Sequence, residues 1–310
     1  MTHKRHITLL FSMFFTIAAL HAQFNDPRET FSISATVDGA TNTDYHWESR
    51  DNERLEDGRM KHGVNARIRA NVKLLGNQLY SLSFSPFYNF SNKELRASKA
   101  IVSQPFNLPT SHHHYGGSLT ASYNTIAFHK PLTLMATGTG NFSRYGYENA
   151  SGMLGGIFSI TRNQKTYLAV GAMYLIGTSV SWPLYPVIIY THRFDNRWSI
   201  NCLETNNYLY YQASPAVRCA VGMELETDKI YLRPKTDDLP PKMEISQVSE
   251  RFGFFATVQA SKEISLNFGT GITVPFYGRL RQSGHNHTYM TMHDHVKPFV
   301  KMNVKYSLRK

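Results

Sequence analysis

Cysteine is nearly missing from this chain: only Cys202 and Cys219 occur among 310 residues, too few for a disulfide framework or a thiolate metal centre to organise the fold. Acids are scarce against bases, 22 Asp and Glu facing 33 Lys and Arg for a formal net charge of +11. Beyond residue 22 no apolar run reaches the roughly 18 residues a membrane helix needs, so helical spans are excluded. A helical period is lacking as well. No Gly-x-Ser-x-Gly elbow and no readable set of nucleophile, base and orienter is present, so catalysis is not expected, and no cofactor motif appears. The basic residues alternate along strands instead of clustering on one face, which argues against a nucleic-acid partner.

What the sequence does contain begins with a leader. Lys4 and Arg5 precede an apolar run from Ile7 to Leu20, and Leu20-His21-Ala22 fits a small-residue cleavage site. Residues 1–22 therefore read as a cleaved signal peptide and 23–310 as a single domain in an oxidising compartment.

From there to the C-terminus the chain alternates. Ala66, Ile68, Ala70, Val72 and Leu74 are threaded between Arg67, Arg69, Asn71 and Lys73, which on a β-strand makes one face apolar and the other basic. Fourteen segments alternate in this way: 31–38, 64–74, 80–90, 118–124, 132–139, 154–161, 166–176, 185–194, 198–205, 216–226, 230–234, 247–260, 264–276 and 301–308. Omitting the faint 31–38 and 230–234 leaves twelve. Every second link is tight, at 76–77, 129–131, 163–164, 195–197, 227–229 and 261–263, and the others are long, among them 39–61, 91–114, 206–215 and 277–297. Short turns on one rim and long loops on the other, with segments close to the ~9–11 residues of a tilted membrane strand, imply an all-β transmembrane antiparallel β-barrel.

In these features the chain resembles Gram-negative outer-membrane β-barrel proteins of uncharacterised families. The resemblance implies a location in the bacterial outer membrane, short periplasmic turns and long extracellular loops. It implies outer-membrane lipid, lipopolysaccharide and the barrel-assembly machinery as partners. Such barrels often finish on an aromatic residue, whereas this one finishes Tyr306-Ser307-Leu308-Arg309-Lys310.

If lipid lies outside, the basic row must face the lumen, because Arg or Lys on the lipid face at mid-depth costs about 2–4 kcal/mol. Closure of the last strand on the first adds Lys301 and Lys305 to Arg67, Arg69 and Lys73 in one basic wall, with Asp38 the only acid placed within it. Two readings follow. The wall selects small polar, preferentially anionic, solutes in a passive pore, or it pairs with acids, fills a closed lumen, and leaves the loops to act as a structural or surface-interaction device. A lipid-modifying enzyme at the rim is a third, weaker reading.

Histidines mark the long-loop side. His112, His113, His114, His285, His287, His293 and His295 are imidazole donors for a metal ion, or else solvated loop residues. The charged loop 45–61 invites the same pair of readings, a divalent or phosphate contact against a solvated surface. Cys202 and Cys219 are equidistant from the centre of 206–215, so a hairpin turning there would bring them opposite each other as a disulfide; the alternative is two thiols facing lipid. Oligomeric state is not legible.

Overall fold

Alternation carried through almost every strand closes the chain on itself. The computed structural model describes residues 29–97, 110–177, 183–203, 206–235 and 239–309; the leader lies outside them. Its strands are β1 (Glu29–Ala40), β2 (Thr43–Ser49), β3 (Arg54–Gly76), β4 (Tyr80–Ala97), β5 (Ser111–Ala127), β6 (Lys130–Ser143), β7 (Gly146–Arg162), β8 (Thr166–Ile176), β9 (Leu184–Arg193), β10 (Trp198–Leu203), β11 (Asn206–Gln212), β12 (Val217–Leu232), β13 (Met243–Gln259), β14 (Ile264–Gln282), β15 (Thr288–Asp294) and β16 (Lys297–Arg309).

All neighbours are antiparallel, and β1 pairs with both β3 and β16, which in turn pairs with β14. The result is a closed ring of 14 strands. The two short strands are continuations of the first and last staves. Gly39 faces Val64 and Thr43 faces Met60 on β3, so the register is unchanged across the break at Thr41-Asn42. The same holds where β15 and β16 part at His295-Val296, since Thr273 faces Lys297 and Gly278 faces Met292. The breaks do switch the inward face: Asp38 is buried below the first, Tyr45 and Trp47 above it.

The outer face is an apolar belt to which every stave contributes, through Ile33, Ile68, Phe84, Leu119, Leu134, Leu154, Tyr174, Ile188, Trp198, Leu209, Val221, Phe254, Phe268 and Val300. Exposed Tyr80, Tyr123, Phe128, Phe194 and Tyr306 gather near the short-turn rim, the place of an aromatic girdle. The turns there share one device, a short polar side chain accepting from backbone two or three residues on. Asn77 takes the N–H groups of Leu79 and Tyr80 at 2.7 and 3.1 Å, Asn163 those of Lys165 and Thr166 at 2.9 and 2.7 Å, and Asp195 those of Arg197 and Trp198 at 2.6 and 2.7 Å. Between β5 and β6, Phe128 and His129 instead adopt φ of 49° and 61°, the mirror-image hairpin geometry without a glycine.

Three sequence expectations need correction. Residues 227–229 are not a turn: β12 runs through them to Leu232, joining the segments 216–226 and 230–234. The loop 206–215 is instead strand β11 followed by the turn 213–216 on the short-turn rim. One strand gained and one merged leave the total at fourteen. Cys202 and Cys219 are consequently not opposite each other. Strand β11 stands between them, with Cys202 level with Asn207 and Cys219 level with Tyr211. Two strand spacings and about four residues of rise far exceed the ~7 Å reach of a disulfide, and both thiols are free.

Candidate functional site

The lumen is built from inward rows two residues apart. On β12 that row is Glu224, Glu226 and Asp228, and each acid takes a base from another strand. Lys301 of β16 reaches Glu224 at 2.7 Å, and Tyr208 also donates to that carboxylate. Lys93 of β4 bridges Asp228 and, at 2.9 Å, Gln247.

Between these lies a closed ring of four charges. Arg67 donates to Asp38 and to Glu226. Arg251 lies 3.0 Å from the other oxygen of Asp38 and 3.3 Å from the other oxygen of Glu226, its guanidinium resting over the Phe299 ring. The ring ties β1 and β3 to β12 and β13 across the lumen and is electrically neutral. Further down, Lys305 meets Glu29 at 3.0 Å.

Of the five basic residues expected to form the wall, Arg67, Lys301 and Lys305 are thus ion-paired. Arg69 and Lys73, on the inward row of β3 nearer the short-turn rim, make no ion pair among the described residues. Arg218, at a similar level on β12, stacks over Tyr210 at 4.5 Å and likewise has no acid partner among them. The lower half of the lumen is therefore lined by bases that make no ion pair among the described residues.

The upper half is filled. Tyr45, Trp47, Met60, Ile230, Leu232, Met243, Ile245, Leu280 and Met292 pack into an apolar core. Both faces of the β12–β13 tip are buried: Tyr231, Glu244 and Ser246, opposite that core, are as enclosed as Ile230 and Ile245. The Tyr231 ring meets His114 of β5 at 5.3 Å, Glu244 binds Arg281 at 2.8 Å and Asn149 at 3.3 Å, and Arg233 donates to Glu148 at 2.8 Å. The tip thus leans over the lumen instead of continuing the wall. Beneath it is a cavity of about 10 Å³, room for one water, beside Lys93 and His112.

A second sector of the lumen is apolar. Met135, Met153, Ile157, Met173, Tyr185, Val187 and Ile189, inward on β6 to β9, form a buried apolar cluster. Its sequence signal is Leu184-Tyr185-Pro186-Val187-Ile188-Ile189-Tyr190, apolar on both faces where a lipid-facing strand needs only one.

The histidines separate. His112, His113 and His114 are not in a loop; they open β5, whose pleat sends neighbours to opposite sides. His112 is buried, His113 accepts or donates to the Tyr88 hydroxyl at 2.8 Å on the outside, and His114 bonds Asn141 at 3.0 Å within. The three therefore cannot all turn to one ion. His285, His287 and His295 are exposed and belong to no group of three or more donors among the described residues. His293 meets His46 and Glu48: Glu48 holds each imidazole Nε2 at 3.1 Å, and the rings stack with centroids 4.9 Å apart.

The sequence did not reveal Glu226, Asp228, Lys93 and Arg251 as lumen residues. For the two acids the signal was available as carboxylates at every second position of 224–228, hidden by reading 227–229 as a turn.

No protein-family model and no curated protein matches the chain. Solved structures are similar to it at low identity and with low TM-scores. An outer membrane channel from Pseudomonas putida F1 is similar over 91% of this chain and 98% of its own at 10% identity, with a TM-score of 0.44. A Pseudomonas aeruginosa FadL homologue covers 92% and 93% at 10% identity with a TM-score of 0.37. The Escherichia coli outer membrane protease OmpT covers 89% and 97% at 8% identity with a TM-score of 0.31. The closed antiparallel ring, the outer apolar belt and the two unlike rims are those of an outer-membrane β-barrel.

Proposed function

We propose that this protein is an outer-membrane barrel channel whose periplasmic half-lumen receives small anionic solutes and whose passage is controlled by the filled extracellular half. The observation that carries the reading is the contrast between Arg69 and Lys73, which line the lumen and make no ion pair among the described residues, and Arg67, Lys301 and Lys305, which are paired. Unpaired cations in a narrow, low-dielectric vestibule concentrate anions and repel cations, whereas neutral pairs contribute little net field. Anion preference, if it arises from this row, belongs to two of the five residues.

Single-channel recording of the refolded protein in a planar bilayer under a salt gradient tests this. Anion-preferring current is expected, with R69E/K73E reversing the preference and neutral replacement of both members of a pair, E224Q/K301Q or E29Q/K305Q, leaving its sign unchanged. Silence over many insertions of folded protein counts against a channel. The apolar core at the upper mouth favours the second reading in that case, a closed barrel that works through its extracellular surface.

A further inference from the structure

The strongest unassigned cluster is on the outside, where the first and last staves meet above their breaks. His46 and Glu48 are two apart on β2 and so share a face, and His293 is the direct cross-strand partner of His46 on β15. Since Tyr45 and Trp47 point inward, the three face out. Their surroundings are polar, with the Arg54–Asp57 and Arg96–Glu94 pairs nearby on β3 and β4, so the cluster lies beyond the apolar belt and in reach of solutes.

We infer that His46, Glu48 and His293 form a divalent metal site, of the zinc class, that clips the closing seam of the barrel. Their donor atoms all lie within 4.8 Å of one another, and Glu48 is already 3.1 Å from both Nε2 atoms. Zinc bonds of about 2.1 Å to nitrogen and oxygen place tetrahedral donors about 3.4 Å apart; Glu48 meets the two imidazoles through different oxygens, so a small turn of the carboxylate and an approach of the two rings complete the set. Side-chain relative accessibilities of 23%, 27% and 40% for His46, Glu48 and His293 leave the room for that rotation and for water in the remaining coordination position. Two imidazoles and a carboxylate are a donor set suited to Zn²⁺, Cu²⁺ or Ni²⁺ and poorly suited to Mg²⁺ or Ca²⁺.

The stacked rings also need something between them and Glu48. A nitrogen lone pair aimed at a carboxylate oxygen is repelled, so each Nε2 carries a proton there or shares a cation with Glu48. Zinc takes the Nε2 lone pair of each ring, with the ring hydrogen held on Nδ1. The position gives the ion a task. The β2–β15 ladder is five residue pairs long, from Met290 and Ser49 to Asp294 and Tyr45, and just below it main-chain pairing is interrupted on both strands. One ion held by both strands fastens the seam where it is weakest.

The test uses the full chain, without a polyhistidine tag, refolded in detergent and titrated with Zn²⁺ by calorimetry and by thermal unfolding. One saturable Zn²⁺ per chain and a raised unfolding temperature are expected. H46Q and H293Q are expected to weaken binding by about tenfold or more, a loss that even changes outside a ligand set can reach, while H285Q and H287Q retain it. Absence of saturable binding, or binding that survives H46Q/H293Q, overturns the site. Should those variants not show the heat-modifiable mobility of a folded barrel, the Co²⁺-loaded wild type decides: visible bands of imidazole coordination support the site and their absence overturns it.

Discussion

Asp38 illustrates how a single carboxylate organises the lumen. It is 2% exposed and accepts from Arg67, Arg251 and, at 3.0 Å, Asn65. Burying a charge is tolerable only with such company, and removing one partner of a buried pair costs about 3–5 kcal/mol because the other is left uncompensated. Asp38→Asn leaves two guanidiniums to one acid, Glu226, and is expected to lower stability on that scale in urea unfolding from lipid vesicles. In the double variant D38N/R67Q the loss is expected to be smaller than the sum of the two singles, since the same interaction is removed twice. Strict additivity would mean that the ring is not a coupled unit. The sequence put Asp38 beside Arg67, because alternation and strand closure fix which residues become neighbours. It did not reveal Arg251 as a partner, because that contact joins residues 213 positions apart and depends on how the lumen is filled.

At the level of elements, the β12–β13 hairpin was the least legible part. A wall strand shows one apolar face and periodicity two, but this tip is enclosed on both sides, so 230–234 reads as a faint, separate segment. Nothing local in a sequence says that a hairpin leans inward; the packing of Leu232 and Met243 against Trp47 and Met60 decides it. The same displacement hid β11 and made Cys202 and Cys219 look opposed. If the tip closes the upper mouth, L232D, which places an unpaired charge in that apolar core, is expected to loosen it and raise single-channel conductance while the barrel stays folded. Unchanged conductance in a folded L232D channel would mean that the tip does not limit passage. The short-turn rim, by contrast, was legible at five of its six turns, at four of them because Asn77, Asn163, Asp195 and Ser261 form the turn by their own hydrogen bonds.

For the molecule as a whole, the question is which face meets hydrocarbon, and the answer rests on comparing depths along one strand. Ile68 lies within the outer belt of β3, and Leu75 is on the same strand next to Gly76 at the short-turn rim, 46% and 52% exposed respectively. In water the two exposures are alike, and replacing either by Arg would be nearly neutral. In a bilayer they differ, since Arg costs about 2–4 kcal/mol at the midplane and falls to about 0–1 kcal/mol near the interface. Ile68→Arg is therefore expected to destabilise the refolded barrel by a few kcal/mol in vesicles and Leu75→Arg by much less, read from urea midpoints. Equal effects would remove the lipid from around the belt, and with it the reason for Arg69 and Lys73 to face inward. The alternation of β3 is thus a single physical statement: hydrocarbon claims one row of side chains, and the lumen must accommodate the charges of the other.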